Sequence, residues 1–460
     1  MSDASETTVP GAARCPGMSW DDLAQRDTHP VPAFLRENAY RYLGSQPLAT
    51  ARYTSAEFFR SEIERMWPHV WQFAAREEEL PEPGDVVVYE NAGRSYLLVR
   101  QEDGSVNAFH NVCLHRGRKL RDANGWARDL RCPFHGFTWN MDGRLEHIPC
   151  AWDFPHLRAQ DMSLPQAQVA HWAGYVFIKD SPGGPSLDEY LQPLPEHHKR
   201  WAHEDCVTTL WVAKVVKANW KTVAEAFMEA WHSVAIHPQI LPFAGDANTK
   251  YFVYGDHVNL AVTPFGVTSP HLSDQPQTEQ WIIDQMVKYN GRAASADLQI
   301  RVTDGGTARA AIAAVNRRRF GVVDRRDYSN VSDAEMVDAF TYNVFPNFSP
   351  WGGFPPNLVF RWRPWPDQDT TLMELRRLTR VPTGSPKGRS VPMRLLRDEE
   401  SWSAVAELAV QGMVFDQDWA NLPYVHAGLK ASKTGTIQLA NYQEIRIRHF
   451  AHTLDRYLAT

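Results

Sequence analysis

Two short segments of this chain each place a cysteine just before a histidine. One reads CLHRG and the other CPFHG, so that Cys113-x-His115 is followed, after sixteen residues, by Cys132-x-x-His135. The chain of 460 residues has only five cysteines, and two of them fall in this pattern. Thiolates and imidazoles are the common protein ligands of transition metals, so the spacing predicts a metal site.

The composition is that of an ordinary globular protein, with 43 % hydrophobic and 22 % charged residues. A net charge of −6 argues against nucleic acid or an anionic membrane as the partner. No apolar run approaches the roughly 18 residues that a membrane span needs. The polar start, MSDASETT, lacks the order of a secretory signal, and an odd number of cysteines does not fit a disulfide framework. We therefore expect a cytoplasmic protein with reduced thiols.

The order of expected elements divides the chain into three parts. Residues 1–54 form a polar, proline-containing segment that we expect to pack on the catalytic domain. Short β-like runs such as DVVVYE, SYLLV and GYVFIKD predict a small, mostly β domain over 55–182, closed by the linker SPGGP. The remainder, 183–460, mixes strands such as TTLWVAKVV with helices, and its stretch 240–335 reads as loops and short helices. The layout is α+β.

The arrangement of the four ligands separates two kinds of metal site. Structural zinc sites usually take two cysteines from one loop and two histidines from another. Here each loop offers one thiolate and one imidazole, which suits a 2Fe–2S cluster with both cysteines on one iron and both histidines on the other. Gly117 and Gly136 follow the histidines and permit tight turns around such a cluster. The pattern favours the cluster and leaves zinc as the alternative.

A second candidate site lies in the segment NWKTVAEAFMEAWHSVAIHP. On one continuous helix Glu225, Glu229 and His232 would fall within about 60° of one another. His237 lies five residues beyond His232 and would point about 140° away on a straight helix. Pro238 disfavours helical geometry at His237, so the helix should end there and let the two imidazoles converge. Two histidines and a carboxylate form the facial triad of non-haem Fe(II) oxygenases.

The carboxylate ligand must come from a distant part of the chain, and the run MVFDQDWANL offers two candidates. Asp416 and Asp418 would point about 200° apart on a helix, so only one can face the metal. The Asp418 face carries apolar residues at helical spacing, namely Val414, Phe415, Leu422 and Val425. A buried carboxylate needs a partner such as a metal, which favours Asp418, whereas Asp416 suits a cap or a solvent-facing position.

These motifs carry a family resemblance. CLHRG and CPFHGF match both halves of the Rieske iron–sulfur motif, and the second segment resembles the catalytic domain of Rieske non-haem iron oxygenases, large (alpha) subunit. The resemblance covers nearly the whole chain and implies the ligand sets: Cys113, His115, Cys132 and His135 for a 2Fe–2S cluster, and His232, His237 and Asp418 for a mononuclear Fe(II). Glu229 stands where the family has a carboxylate that bridges the two centres. Ala226 departs from many ring-dihydroxylating members, which carry Asn, and weakens an inference of cis-dihydroxylation.

The resemblance also implies fold, activity and partners. We expect a small all-β Rieske domain and a larger catalytic domain with an antiparallel sheet and helices of the helix-grip type. The implied enzyme is a Rieske non-haem iron mono- or dioxygenase that takes electrons ultimately from NAD(P)H, through a reductase with or without a ferredoxin. It would hydroxylate or oxidatively demethylate a small, largely apolar and in the first instance aromatic substrate. A homotrimer is implied, with or without a small beta subunit.

Six residues are candidates for the substrate pocket: Phe227, Met228, Phe265, Asn343, Phe345 and Phe354. The run NVFPNF, which contains two of them, resembles the family's pocket strand. The alternative function is a Rieske electron-transfer protein whose second domain binds a hydrophobic ligand without oxygenase activity.

Overall fold

The computed structural model describes residues 9–275, 277–290, 298–408 and 410–459. Two sheets organise this part of the chain. A seven-stranded sheet lies in the first unit and an eight-stranded sheet in the second. The predicted α+β class, with a small β unit followed by a larger unit of antiparallel sheet and helices, is confirmed.

The N-terminal segment contributes three short elements, α1 (Trp20–Ala24), β1 (Leu48–Ala49) and α2 (Ala51–Thr54), and α3 (Ala56–Ser61) opens the first unit. Helix α1 begins at a capping box, in which Ser19 and Asp22 satisfy each other's backbone N–H groups. The buried indole of Trp20 donates a hydrogen bond to Asp338 (Nε1 to Oδ2, 2.9 Å). This contact, 318 residues apart in the chain, packs the segment against the second unit.

The first unit contains ten strands: β2 (Gln72–Arg76), β3 (Asp85–Asn91), β4 (Arg94–Arg100), β5 (Val106–His110), β6 (Gly125–Trp126), β7 (Leu130–Arg131), β8 (Thr138–Trp139), β9 (Leu145–His147), β10 (Gln166–Trp172) and β11 (Tyr175–Lys179). Strands β2–β11–β10–β5–β4–β3–β6 form one sheet and β7–β8–β9 another. The first Cys/His loop joins β5 to β6, and the second joins β7 to β8.

The described part of the second unit contains nine strands: β12 (Cys206–Val216), β13 (Lys250–Tyr254), β14 (Val258–Thr263), β15 (Ala339–Val344), β16 (Ser349–Gly352), β17 (Asn357–Pro364), β18 (Thr371–Arg380), β19 (Arg394–Leu395) and β20 (Thr436–Ile437). The sheet order is β13–β14–β15–β16–β17–β18–β12–β19. Its pairs are antiparallel except for β12 with β19. Strand β20 pairs with β1.

The helices of the second unit are α4 (Leu187–Tyr190), α5 (Leu194–His198), α6 (Trp220–Glu225), α7 (Ser233–Ile236), α8 (Glu279–Tyr289), α9 (Ala308–Asp324), α10 (Asp333–Val337), α11 (Gln411–Ala431) and α12 (Ile445–Ala459). The two longest of the C-terminal part, α11 and α12, supply functional side chains discussed below. Within the described ranges, none of the helices has the length and hydropathy to cross a bilayer.

The prediction of loops and short helices over 240–335 was wrong. The structure has two sheet strands there, β13 and β14, and the 17-residue helix α9. The two strands pair across the short connection GDH, and the sequence YFVYGDHVNLAV carries that hairpin signal. Helix α9 is capped by Thr307, whose side chain accepts a hydrogen bond from the backbone N–H of Ala310 (3.2 Å).

The two units share one hydrophobic core, and buried polar contacts tie them together. Arg361 on β17 donates to the backbone carbonyl of Phe73 on β2 (3.1 Å) and forms a buried ion pair with Glu374 (2.6 Å). The rings of Phe73 and Phe348 lie 5.1 Å apart. The β unit is therefore held in a fixed position on the second unit.

Candidate metal centres

The two Cys/His loops have the same backbone geometry. In the first, the N–H of Cys113 donates to the carbonyl of Arg118 (2.8 Å) and the N–H of Gly117 donates back to Cys113 (2.9 Å). In the second, Cys132 donates to Phe137 (2.8 Å) and Gly136 donates to Cys132 (2.9 Å). Both glycines have positive φ, 76° and 78°, which an L side chain rarely adopts. The sequence therefore needs glycine at both turns.

In these two loops the cysteine sulfurs lie deeper in the protein than the histidine rings do. Cys113 and Cys132 are buried, at 2 % and 1 % exposure, and their thiols are close enough to interact. The rings of His115 and His135 lie outside them, 4.7 Å apart between centroids and nearly perpendicular. Burial and the charges of neighbouring groups lower the pKa of His115, which favours the neutral imidazole that a metal requires. Two inner sulfurs and two outer nitrogens fit a 2Fe–2S cluster bound by Cys₂His₂.

The second candidate segment differs from the single helix expected over 219–238. Helix α6 ends at Glu225, and α7 begins only at Ser233. Glu225 turns away to accept a hydrogen bond from the hydroxyl of Tyr53 (3.0 Å), so it does not share a face with Glu229 and His232. A donor from a distant part of the chain acts inside the break, where the guanidinium of Arg446 donates to the carbonyl of Met228 (3.3 Å) in place of a helical N–H.

Three side chains nevertheless converge at this point. The ligand atoms of His232, His237 and Asp418 all lie within 4.8 Å of one another. Asp418 Oδ1 is 3.1 Å from His237 Nε2 and 3.8 Å from His232 Nε2. His237 has φ −124° and ψ 53°, outside helical geometry as expected for the residue before Pro238, and this turn brings its ring towards His232.

Each histidine is oriented by a hydrogen bond at its other ring nitrogen. Glu229 accepts from Nδ1 of His232 and also from its backbone N–H (3.0 Å). His237 Nδ1 lies 2.9 Å from the side-chain oxygen of Gln417, which also accepts from Gln239 Nε2 (2.7 Å). With Nδ1 protonated in both rings, both Nε2 lone pairs point at the shared space beside Asp418.

The two candidate carboxylates on α11 have different environments. Asp418 is buried, at 7 % exposure, on the face that also buries Phe415 and Leu422. Asp416 points the other way and accepts hydrogen bonds from the backbone N–H groups of Trp402 (2.7 Å) and Ser403 (3.1 Å). Asp416 therefore caps a neighbouring turn, and only Asp418 approaches the two histidines.

The electrostatics of this group favour a bound cation. Burial alone would lower the pKa of His232, but the hydrogen bond and charge of Glu229, together with Asp418, raise it to about 9. The metal-free imidazole thus carries a proton at neutral pH, which a metal must displace. Glu229 and Asp418 supply two negative charges around the two rings, and two imidazoles with one inner carboxylate suit Fe(II) with open coordination positions.

The comparisons with known families agree with this geometry. Residues 70–158 match the Rieske [2Fe-2S] domain, and residues 194–460 match the catalytic domain of the ring hydroxylating alpha subunit. The chain belongs to the Rieske non-haem iron oxygenases. The family uses a 2Fe–2S cluster in the first domain and a mononuclear iron in the second, so the match favours the cluster over zinc at the Cys/His loops.

The curated relatives of this Rieske oxygenase chain include two monooxygenase oxygenase subunits. The glycine betaine monooxygenase oxygenase subunit of Chromohalobacter salexigens is 28 % identical over 208 residues, which are 43 % of this chain and 44 % of that protein. The carnitine monooxygenase oxygenase subunit of Escherichia coli K12 is 30 % identical over 195 residues, 40 % of this chain and 50 % of that protein. The chain thus spans about half the length of the curated relatives it matches.

A solved structure resembles the fold over most of the chain. A naphthalene 1,2-dioxygenase mutant bound to phenanthrene superposes with a TM-score of 0.64 at 19 % identity, covering 92 % of this chain and 95 % of that one. At this identity the likeness concerns the fold alone. The superposition spans both matched domains together, so the two structures share the arrangement of the domains as well as the fold of each.

A cavity of about 150 Å³ opens beside the three converging side chains of this Rieske oxygenase. Two of the six expected pocket residues, Phe227 and Phe265, line it, and Ala226 stands between Phe227 and helix α6 in the same wall. Trp351 and Phe415 complete its aromatic surface. The sequence did not single out these last two residues for the pocket.

The other four expected pocket residues lie outside this wall. Met228 is fully buried in the core behind it. Phe345 packs its ring on Phe450 (4.8 Å) and Phe354 packs on Tyr328 (4.8 Å), both away from the cavity. Asn343 lies on β15 two residues beyond Thr341, which does line the cavity. The run NVFPNF therefore did not predict which residues line the cavity.

Three polar residues near the candidate iron site were missed by sequence reasoning. Gln417 orients His237, whereas Asp246 and Arg446 line the cavity. Gln417 could have been suspected because it adjoins Asp418. Asp246 and Arg446 come from a short 3-10 helix and from α12, 200 residues apart in the chain, and carry no local motif.

Proposed function

We propose that this chain is an oxygenase component that uses O₂ and electrons from a reductase, directly or through a ferredoxin, to hydroxylate or oxidatively demethylate a small organic substrate. The convergence of His232, His237 and Asp418 at the wall of a mostly apolar cavity carries this proposal. A facial set of two histidines and one carboxylate leaves coordination positions open for O₂ beside the substrate.

The assigned roles follow from the contacts around each side chain. Fe(II) bound by His232, His237 and Asp418 would supply the activation of O₂. Glu229 and Gln417 hold the Nδ1 protons of the two histidines and so keep both Nε2 atoms directed at the metal. The aromatic walls exclude water from the reacting substrate. Cys113, His115, Cys132 and His135 would hold the 2Fe–2S cluster that delivers electrons.

The reaction type is best placed among monooxygenations and oxidative demethylations. Two of the curated relatives are named as monooxygenase oxygenase subunits. Ala226 lines the cavity at the position where many ring-dihydroxylating members carry Asn. An electron-transfer protein with a ligand-binding domain remains the rival, but it gives no reason for three convergent metal-binding side chains beside the cavity.

The two aspartates of α11 test the proposal. Asp418→Ala should lose the mononuclear iron and substrate-dependent O₂ uptake while it keeps the EPR signal of the reduced cluster. Asp416→Ala removes a cap that accepts two backbone N–H groups and should retain iron and most of the turnover. O₂ uptake by Asp418→Ala at the wild-type rate would refute the iron assignment. Wild-type protein that carries both metals but consumes no O₂ with any substrate of a broad screen would favour the electron-transfer rival.

We further propose a homotrimer in which the cluster of one subunit lies beside the mononuclear iron of the next, with or without a small beta subunit. His135 is exposed and Phe134 beside it is 57 % exposed, so this tip of the β unit has an uncovered apolar surface. Glu229, bound to His232 on its own subunit, could then accept a hydrogen bond from His135 of a neighbouring copy and join the two centres.

Three finer assignments belong to the same proposal. The domain boundaries are 1–54 for the N-terminal segment, 55–182 for the cluster domain and 183–460 for the catalytic domain. Electrons come ultimately from NAD(P)H. The five unpaired cysteines suit a reducing compartment, and we place the protein in the cytoplasm.

A further inference from the structure

The structure has a second, larger cavity, here called the outer chamber, that the chemistry described above does not use. It has a volume of about 800 Å³. Its lining comes from residues 15–18 of the N-terminal segment, from residues 266–273 and from Ile282 of α8. Most of these side chains are apolar or carry uncharged polar groups. Such a lining suits an uncharged, largely apolar part of a ligand.

One layer of side chains separates the outer chamber from the iron cavity, which is the cavity beside the three converging metal-binding side chains. Asp246 lines the iron cavity, whereas Ser269 and His271 line the outer chamber. The hydroxyl of Ser269 donates to Oδ1 of Asp246 (2.7 Å), and Nε2 of His271 lies 3.8 Å from Oδ2. The backbone passes from one space to the other between Phe265 and Gly266. The two spaces are therefore adjacent.

The iron cavity is smaller than most ligand sites. Its volume is about 150 Å³. A cavity of roughly that size holds a single benzene ring, whereas ligand sites in proteins commonly span about 300–1,000 Å³. A substrate larger than one ring would therefore need space beyond the iron cavity. The outer chamber offers that space directly behind the contact between Asp246 and Ser269.

Residues 9–18, here called the strap, border the outer chamber and are held in place by a stacked arginine. The guanidinium carbon of Arg14 lies 3.8 Å from the ring centroid of Tyr442 and 4.6 Å from that of Tyr40. Nη1 of Arg14 donates to the carbonyl of Gly11 (2.8 Å), which fixes the local turn of the strap. Arg14 is exposed, and cation–π contacts at exposed sites are weak. The strap can therefore be released without disturbing the core.

The anchor of the strap is connected to the wall of the iron cavity. The hydroxyl of Tyr442 donates to the carbonyl of Thr249 (3.2 Å), which lies in the same short segment as Asp246. Burial and the negative charge of Asp246 raise the pKa of the Cys15 thiol, so the strap lies close to the wall. The strap, the outer chamber and the wall of the iron cavity are thus contiguous.

We propose that the outer chamber is a second binding site through which the substrate reaches the iron cavity, with the strap as its outer wall. This inference rests on the proposed oxygenase function and adds the path of its substrate. The reacting end of the substrate occupies the iron cavity, and an uncharged, largely apolar end occupies the chamber. Arg14 is a positioning residue, because it holds the wall and does not touch the substrate.

Two alcohols of different length test the proposal on the wild-type holoenzyme without O₂. Benzyl alcohol matches the size of the iron cavity, whereas 6-phenylhexan-1-ol carries five more methylene groups for the outer chamber to bury. We expect 6-phenylhexan-1-ol to bind at least about tenfold more tightly in isothermal titration calorimetry, because each buried methylene adds affinity. Both alcohols should alter the EPR spectrum of the nitric oxide adduct of the iron, which reports a ligand beside the metal. Equal affinities, or failure of both alcohols to bind at millimolar concentration, would overturn the proposal.

A substitution that fills the outer chamber assigns the site of the longer alcohol. Cys15→Trp should reduce the preference for 6-phenylhexan-1-ol to below about threefold and leave the affinity for benzyl alcohol unchanged, since only the methylene groups lose their space. Cys15→Ser changes the same position without added bulk. Val9→Trp adds the same bulk at a strap residue that is 72 % exposed and lies outside the chamber. Both controls should keep the wild-type affinities, whereas an unchanged preference in Cys15→Trp would overturn the proposal.

A second substitution tests the strap itself. Arg14→Ala should weaken binding of 6-phenylhexan-1-ol by roughly two- to fivefold, the range expected for loss of an exposed cation–π contact, and should leave benzyl alcohol unaffected. Arg26→Ala, at another exposed arginine of the N-terminal segment, is the matched control. Equal losses for both alcohols, or no loss at all, would refute the role of the strap. If Cys15→Trp fails to fold, the wild-type affinities and Arg14→Ala still decide the outcome.

These measurements separate the outer chamber from the oxygenase function on which it rests, because binding is measured without O₂ or electrons. Length-selective binding that Cys15→Trp removes, in a protein that never consumes O₂, would refute the oxygenase and keep the chamber. O₂ uptake with the same KM in wild type and Cys15→Trp, for a substrate longer than one ring, would refute the chamber and keep the oxygenase.

Discussion

The hydrogen bond between Gln417 and His237 offers a test of how the iron site is held in shape. Gln417→Leu keeps the approximate size of the side chain but removes the acceptor that faces Nδ1 of His237 at 2.9 Å. His237 is only 3 % exposed, so water cannot easily replace this acceptor. The ring would then lose the contact that fixes both its tautomer and its orientation towards Asp418.

The expected size of the effect follows from these contacts. Leaving a buried N–H without a partner costs about 1–3 kcal/mol. Loss of a partner that orients a metal-ligating histidine typically weakens metal binding by about 10–100-fold, which equals about 1.4–2.7 kcal/mol. The two ranges agree, so we expect Gln417→Leu to weaken Fe(II) binding by roughly 10–100-fold. Gln417→Glu retains an acceptor and should bind Fe(II) at least as tightly as the wild type.

The assay is anaerobic titration of iron-depleted protein with Fe(II) against a chromogenic chelator, with the EPR signal of the reduced cluster as an internal check. Gln411→Leu, on the first turn of the same helix, is the matched control and should leave affinity unchanged. An affinity of Gln417→Leu within about twofold of the wild type would refute the orienting role. Equal losses in Gln417→Leu and Gln417→Glu would indicate a packing effect instead.

Three further predictions concern other parts of the chain. Cys132→Ser should abolish the low-temperature EPR signal of the cluster in soluble protein, and stoichiometric zinc in active wild-type protein would contradict the cluster assignment. Glu229→Gln should retain both metals but slow oxidation of the reduced cluster by at least about tenfold in single-turnover kinetics, and a wild-type rate would rule out a bridging role. Burial raises the pKa of Glu225 to about 8, so the folded state loses stability as pH rises from about 4.5 to 8. Glu225→Gln should therefore be more stable than wild type by about 1–3 kcal/mol at pH 8.5 and no more stable below pH 4.5, as measured by thermal unfolding.

The Cys/His loops could be predicted from the sequence because their geometry is local. Each loop spans a few contiguous residues, and its turn is set by the glycine four positions after the cysteine. Strands of the first unit could also be predicted from the sequence. The runs DVVVYE and SYLLV form β3 and β4 with nearly the expected bounds. In both cases the residues that determine the local structure lie within about ten positions of one another in the chain.

The segment 219–238 could not be predicted correctly from its own residues. Its composition favours one helix, but Arg446 binds the carbonyl of Met228 from 218 positions away, and Glu229 captures the backbone N–H of His232. The first of these hydrogen bonds is tertiary and the second is local, and both take the place of helical ones where the helix breaks. The turn at His237 has a local cause alone, the proline that follows it.

The cavity wall is built from residues that lie farther apart in the sequence than the proposed iron ligands do. His232 and His237 come from one segment, and Asp418 lies on a helix whose apolar face could be identified. Asp246 belongs to a short 3-10 helix after α7, Arg446 to the C-terminal helix, and Trp351 to a sheet strand. A substitution at any of these wall positions alters the charge or shape that meets the substrate without moving an iron ligand. The local metal-binding motifs therefore do not determine the shape and charge of the cavity wall, which distant parts of the chain supply.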